Sequence, residues 1–180
     1  MMIKIKLGIM SVLIFFVISC HSRPPARFVL SDFESEADLD RVQWRCHTLC
    51  SLSEENATHG NKSLQLELYP SAYPGIAFEL PMHNWSKFEI LSLDIFNPQD
   101  ESIFITMRID DEEDYPDYED RYNHSFTINP GMNHLSIPLN SMSTSSTGRR
   151  INLKSICRCL IFMPHPRKKH LLYMDHVFLT

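Results

Sequence analysis

The chain has 180 residues, of which 43% are hydrophobic and 22% charged, and a formal net charge of −5. Such a composition belongs to a folded domain and excludes a disordered or collagen-like chain. The acidic balance argues against nucleic acid, whose affinity rests on lysine and arginine neutralising phosphates.

The N-terminus reads as an address. Lys4 and Lys6 precede an apolar run from Leu7 to Ile18, about a dozen residues. A membrane-spanning helix needs about 20, whereas a secretory signal places a short apolar segment behind a charged one. The run closes on Val17-Ile18-Ser19-Cys20, which looks like a bacterial lipobox. That resemblance implies cleavage before Cys20 and acylation of its thiol, palmitate included; a plain signal peptide with a chance cysteine is the alternative. His21 stands where an inner-membrane retention signal has aspartate, so the expected destination is the outer membrane of a Gram-negative envelope. On this reading residues 1–19 are the signal, 20–27 a lipidated tether and 28–180 the domain. Losing Lys4 and Lys6 takes the net charge from −5 to −7. About 160 residues remain, enough for one real core. Membrane attachment then comes from the lipid alone, with no basic patch involved.

Beyond the tether the pattern is strand-like. "SLQLEL" alternates Leu64, Leu66 and Leu68 with Gln65 and Glu67. "LSLDIF" does the same with Leu91, Leu93 and Ile95. "IFITMRID" sets Ile103, Ile105, Met107 and Ile109 on one face and Phe104, Thr106 and Arg108 on the other. "HLSIPL" and "LLYMDHVFL" continue it, with turn signals at Asn97-Pro98 and Asn129-Pro130-Gly131. A period of two means half-buried strands, and short strands at this spacing predict an all-β antiparallel sandwich.

Several segments in order carry a closer likeness: "DFES" at 32–35, Trp44, "ATHGNKSLQLEL" at 57–68, "NWSKFEILSLDIFNP" at 84–98, "DRYNHSFTINPGMNHLSIPL" at 120–139 and "LLYMDHVFL" at 171–179. Together they resemble the galactose-binding-like jelly rolls found as carbohydrate-binding modules and beside the catalytic domains of polysaccharide-degrading enzymes, agarases included. The resemblance spans nearly all of the mature chain. It implies a jelly-roll β-sandwich, often holding a structural calcium. The chain runs only to Thr180, directly after the presumed last strand, so no catalytic domain is expected. In the resembling modules a carboxylate of the first strand and an aspartate of the last meet at calcium. Glu34, Asn61 and Asp175 match those positions, with Asp32 as a weaker addition. Calcium takes six to eight oxygens, so backbone carbonyls and water complete the set. The competing reading is that Asp175, in an otherwise apolar strand, only accepts hydrogen bonds from nearby backbone.

Four cysteines remain after lipidation, in "CHTLC" and "CRC". An even count in an oxidising compartment points to disulfides. Cys157 and Cys159 share a strand face at about 6.5–7 Å, at the limit of a bridge. Pairing each with Cys46 or Cys50 is the expectation, in either arrangement. A zinc site from these thiolates, with His47 replacing one, is the alternative, although the spacing fits no familiar zinc pattern.

"DDEEDYPDYEDRYN", residues 110–123, carries eight acids and three tyrosines. Such a run is ordinarily a solvated loop, and in the resembling modules the arginine of "DRYN" can be scaffold, paired with a neighbouring acid. Tyrosine beside arginine and asparagine also grips sugars, the ring stacking on an apolar sugar face while charged and amide groups take hydroxyls. If a sugar site exists, its residues are Arg108, Tyr118, Arg121 and Tyr122. Trp85 and Trp44 read as core, and "PHPRKKH" at 164–170 as a solvated hairpin turn.

No G-x-S-x-G elbow, H-E-x-x-H motif or phosphate loop occurs, and the acidic loop offers no fixed carboxylate pair across a cleft. The chain reads as a non-enzyme. The leading expectation is a lipid-anchored envelope protein binding an oligosaccharide or polysaccharide. A structural or assembly protein using the same sandwich against a protein partner is the second. A calcium sensor is weaker still, because the acidic run lacks the glycine and ligand spacing of an EF-hand.

Overall fold

The computed structural model describes residues 27–114 and 116–180, the side chain of Trp44 excepted. The signal, Cys20, most of the tether and the packing of Trp44 therefore lie outside the described residues. The strands are β1 (Phe28–Ser31), β2 (Val42–Cys46), β3 (Thr48–Ser53), β4 (Ser63–Leu68), β5 (Gly75–Phe78) and β6 (Ile90–Asn97). There follow β7 (Ile103–Asp110), β8 (Tyr122–Ile128), β9 (Gly131–Pro138), β10 (Arg158–Phe162) and β11 (His170–Leu179). A short helix, α1 (Glu36–Asp40), interrupts the all-β pattern. Its signal is local: the Asp38 carboxylate accepts from both the N–H and the hydroxyl of Ser35, at 3.2 and 2.9 Å.

The strands form two antiparallel sheets, a jelly-roll sandwich. The first has the order β3-β4-β11-β6-β9, with β1 also on β11; the second is β2-β5-β10-β7-β8. The chain crosses repeatedly from one sheet to the other, and the period-two strands explain why it can. Leu64, Leu66 and Leu68 of β4 and Leu91, Leu93 and Ile95 of β6 turn inward to meet Ile103, Ile105, Met107 and Ile109 of β7 in one core. Burying each such side chain contributes about 1.5–3 kcal/mol. Trp85 is fully buried, as its sequence context implies, and its indole N–H donates to the Met82 carbonyl at 2.9 Å.

β11 runs through the middle of the first sheet and changes partner along its length. Its first half, His170 to Met174, pairs with β4, and its end, Val177 to Leu179, pairs with β1. Asp175 sits at the changeover, beside a bulge where His176 adopts a positive φ of 50°. In the second sheet Gly75 lets β5 and β10 close up: a Cβ there would lie 2.3 Å from the Ile161 carbonyl oxygen and 2.5 Å from Phe162 Cβ.

Two expectations are corrected. The "PHPRKKH" segment is no hairpin, because β10 and β11 belong to different sheets and it carries the chain between them. Its Lys168 and Lys169 pair with Glu101 and Glu67 at 2.5 and 3.2 Å. The four cysteines are free thiols. Cys46 is level with Gly75 and thence Phe162, whereas Cys159 is level with Phe78. Two strand spacings and three residues of rise separate them by roughly 14 Å, well beyond a disulfide. Cys50 lies on β3 in the other sheet. The same separation removes the four-thiolate zinc site with His47. Burial instead pushes the Cys50 and Cys159 thiols up to about 11 and about 12, so both behave as small apolar groups.

Two outcomes follow. Reductant leaves the melting temperature of the protein unchanged; a fall on reduction would restore a bridge. Gly75→Ala destabilises by about 1–3 kcal/mol in chemical denaturation, because backbone on both strands must move.

Candidate functional site

Because alternate residues of a strand face opposite ways, the inward set on β7 leaves Phe104, Thr106 and Arg108 on the outer face of the second sheet. Register places Leu160 of β10 on one side of Arg108 and Asn123 of β8 on the other. Phe162 lies one step along, level with Thr106. The arginine is not free to wander. Its Nε and Nη2 donate to the two oxygens of Asp110 at 2.8 and 2.5 Å, and Arg158 Nη1 reaches the same carboxylate at 3.3 Å. Asp110 is fully buried, and a buried carboxylate persists only with such partners.

The acidic run between β7 and β8 is clamped at three of its acids. Asp111, buried, accepts from Arg149 Nη1 and Nη2 at 2.7 and 2.9 Å and from the Asn152 N–H at 2.6 Å. Asp120 accepts from Arg149 Nε and Nη2, both at 2.9 Å, and from the Thr147 hydroxyl at 3.1 Å. The Arg149 guanidinium holds both carboxyls below their usual range. The rest of the run is mostly exposed, Tyr118 conspicuously so at 67%. Arg121 donates through Nε to the Pro116 carbonyl at 2.6 Å. Burial, then the nearby Arg108 guanidinium, lowers its pKa.

These elements enclose a recess of about 250 Å³, lined by Arg108, Arg121, Asn123, Tyr118, Tyr73, Leu160 and Phe162. Tyr73 meets the Phe162 ring edge-on, 5.6 Å between centroids, and is half exposed. Beyond Arg108 and Leu160 lies a second recess of about 540 Å³, bordered by Gln43, Glu79, His83, Cys157 and Arg158. Together they make a groove with apolar rings on its walls and guanidinium and amide groups at its floor. Apolar lining with a few convergent polar groups is the general form of a small-molecule site.

Of the four sugar-site candidates, Arg108, Tyr118 and Arg121 come together here. Tyr122 does not: the register that turns Asn123 outward turns Tyr122 into the core, where burial pushes its phenol up to about 12. Tyr73, Asn123 and Phe162 had not been singled out. Phe162 could have been found from "RCLIF", where inward Cys159 and Ile161 leave 160 and 162 outside; Tyr73 announces itself only as an aromatic in the turn-rich "YPSAYPG".

Glu34, Asn61 and Asp175 meet elsewhere, at the loop before β4. Glu34 Oε1 accepts from the N–H groups of Asn61 and Lys62, both at 2.8 Å. Asp175 Oδ2 accepts from the N–H of Thr58 and of His59 at 2.7 and 2.9 Å, and from the Thr58 hydroxyl at 3.2 Å. Asn61 takes part through its backbone. Gly60 suits this turn: its φ of 68° strains any other residue, and a Cβ would lie 2.4 Å from the Glu34 carboxyl and displace it. Despite four hydrogen bonds, burial dominates Asp175 and raises its pKa, so its negative charge is under-compensated. A calcium ion here would use the carboxylate lone pairs that the loop N–H groups leave free. Among the described residues no three His, Cys, Asp or Glu side chains form a metal-holding group, so such an ion would draw on backbone carbonyls and water as well. Asp32 stands near, 3.9 Å from His59.

No family model matches the chain. The chain is 24% identical over 147 residues to beta-agarase A of Vibrio sp. strain JT0107, an alignment covering 79% of this chain and 15% of that protein. It thus spans about a seventh of the relative's length. Among solved structures it is similar to a family 11 carbohydrate-binding module of Clostridium thermocellum in complex with a β-1,3-1,4-mixed-linked tetrasaccharide, with a TM-score of 0.64 at 17% identity over 85% of this chain and 94% of that one. It is also similar to an exo-β-agarase, with a TM-score of 0.69 at 16% identity, covering 84% of this chain and 24% of that one. At these identities the likeness establishes the jelly-roll fold.

Arg149 gives a pH-dependent outcome. Asp111 and Asp120 have lowered folded pKa values, so their stabilisation is present above the unfolded value near 3.8 and is lost as pH falls through the folded values. Arg149→Met removes that acid-sensitive component and destabilises by about 3 kcal/mol at neutral pH, since it leaves Asp111 buried and unpaired. Denaturation at pH 7 and pH 3 checks both; equal stability loss at the two pH values would contradict the clamp.

Proposed function

We propose that this protein binds carbohydrate, without cleaving it, in the groove on the outer face of the second sheet. The observation that carries this reading is the convergence of Tyr73, Tyr118 and Phe162 with Arg108, Arg121 and Asn123 around one recess. Rings offer faces to the apolar side of a sugar, and forked donors take its hydroxyls. The likeness to a carbohydrate-binding module solved in complex with a tetrasaccharide supports it. Cleavage is disfavoured by the lining: hydrolysis needs two carboxylates at a set separation, and Asp110 is spent on Arg108 and Arg158. Among the described residues Glu79 is the one acid lining the two recesses. A groove of this form favours sugar over the flat apolar patch that a protein partner would use.

A glycan array with the protein tests this. Binding to one polysaccharide class is expected, weakened severalfold to about tenfold by Tyr73→Ala or Tyr118→Ala, since a stacked ring contributes about 0.5–1.5 kcal/mol. Silence across the array from folded protein would remove the reading and return attention to a protein partner.

Two further parts belong to the same proposal. The lipobox supports attachment to the outer membrane through acylated Cys20, testable by labelled-palmitate incorporation that is lost in Cys20→Ser. The meeting of Glu34, just after the first strand, and Asp175 of the last strand at one loop supports a structural calcium held by Glu34, Asn61 and Asp175. Chelation is expected to lower the melting temperature and calcium to restore it. An unchanged melting temperature would leave both carboxylates to the loop amides alone.

A further inference from the structure

We propose that the recess between Arg108 and Arg121 selects glycans carrying an anionic substituent, a sulfate ester or a carboxylate, over their neutral counterparts. This rests on the carbohydrate reading above and names the ligand class for the same site.

The argument begins from a charge contrast. The chain is acidic, at −5, yet among the described residues the recess is lined by two guanidiniums and no carboxylate. Two acids act on Arg121, Asp110 and Asp117; Asp110 is fully buried and held by Arg108 and Arg158 together, and Asp117 is exposed on the acidic loop. Arg121 spends its Nε on a neutral carbonyl of Pro116. Among the described residues no carboxylate stands within salt-bridge distance of it. Arg121 is partly desolvated and feels Arg108 as a like charge, which lowers its pKa. Two cations facing one recess repel, and an anion placed between them relieves both. Guanidinium groups pair with planar or tetrahedral oxyanions through forked, charge-assisted hydrogen bonds.

The surroundings fit a sugar bearing such a group better than a free ion. Tyr73 and Phe162 form an aromatic corner on one side of the recess, and Tyr118 exposes its ring on the other. A volume of about 250 Å³ is on the scale of one sugar unit and its substituent. The neighbouring recess of about 540 Å³ shares Arg108 and Leu160, so it offers room for the continuing chain.

The test is calorimetric titration of the full chain, in detergent, with two matched pairs. One pair is a sulfated galactan oligosaccharide and its desulfated form. The other is a uronate oligosaccharide and its carboxyl-reduced form. The charged member of one pair is expected to bind at least about tenfold tighter than its neutral counterpart. The preferred pair tells sulfate from carboxylate. The preference should shrink with added salt, be lost in Arg121→Gln and survive in part in Arg121→Lys, with melting curves showing both variants folded. Equal affinity within both pairs would overturn the anionic selection while leaving carbohydrate binding intact. A preference that persists in Arg121→Gln would place the anion elsewhere and overturn it too. Binding by none of the four would overturn the selection, and the glycan array then decides the carbohydrate reading.

Discussion

The Asp110 carboxylate, fully buried between Arg108 and Arg158, is the contact on which the groove depends. Desolvating three charged groups gains little net stability, because the Coulombic attraction is largely offset by the loss of hydration. What the arrangement supplies is position. Arg108 stands on the divide between two recesses, and its guanidinium plane is fixed by two parallel hydrogen bonds. Without the carboxylate, the same strand would present a long flexible cation with many rotamers, and the floor of the groove would have no fixed shape.

The next residue extends the constraint in the opposite direction. Asp111 is locked by Arg149, which also takes Asp120 at the far end of the acidic run. One arginine therefore fixes both ends of a loop whose middle carries many exposed acids. That is how a strongly charged segment can hold Tyr118 and Arg121 over the sheet. Elsewhere Glu34 and Asp175 perform a comparable task, reaching one loop from just after the first strand and from the last strand. Asp175 can do so because β11 exchanges β4 for β1 at that point, opening a gap in the ladder that the loop amides fill.

The architecture was legible because its signal is local and repeated. Leu64-Leu66-Leu68 and Ile103-Ile105-Met107-Ile109 state their faces in the sequence, and the core follows those faces. Helix α1 was missed, being one turn long with too few residues for a period; its Ser35–Asp38 cap was the available clue. The site was legible only at the acidic run and the strand that leads into it. Arg108, Tyr118 and Arg121 were within reach of composition, whereas Tyr122 was placed outside although strand parity turns it inward. Tyr73 and Phe162 arrive from distant parts of the chain, and only the pairing of β5 with β10 brings them to the same recess. The cysteines failed for a related reason: their count suggested bridges, but pairing depends on a register that spacing does not contain.

The most direct measurement of the central claim is a residue-resolved one: amide chemical shifts of the isotope-labelled protein during titration with an oligosaccharide that it binds. Shifts should concentrate at Arg108, Leu160, Phe162 and Asn123, and in the loops of Tyr73 and Tyr118. Shifts gathered instead on the outer face of the first sheet, around the paired Asp94 and His134, would contradict the assignment of the groove.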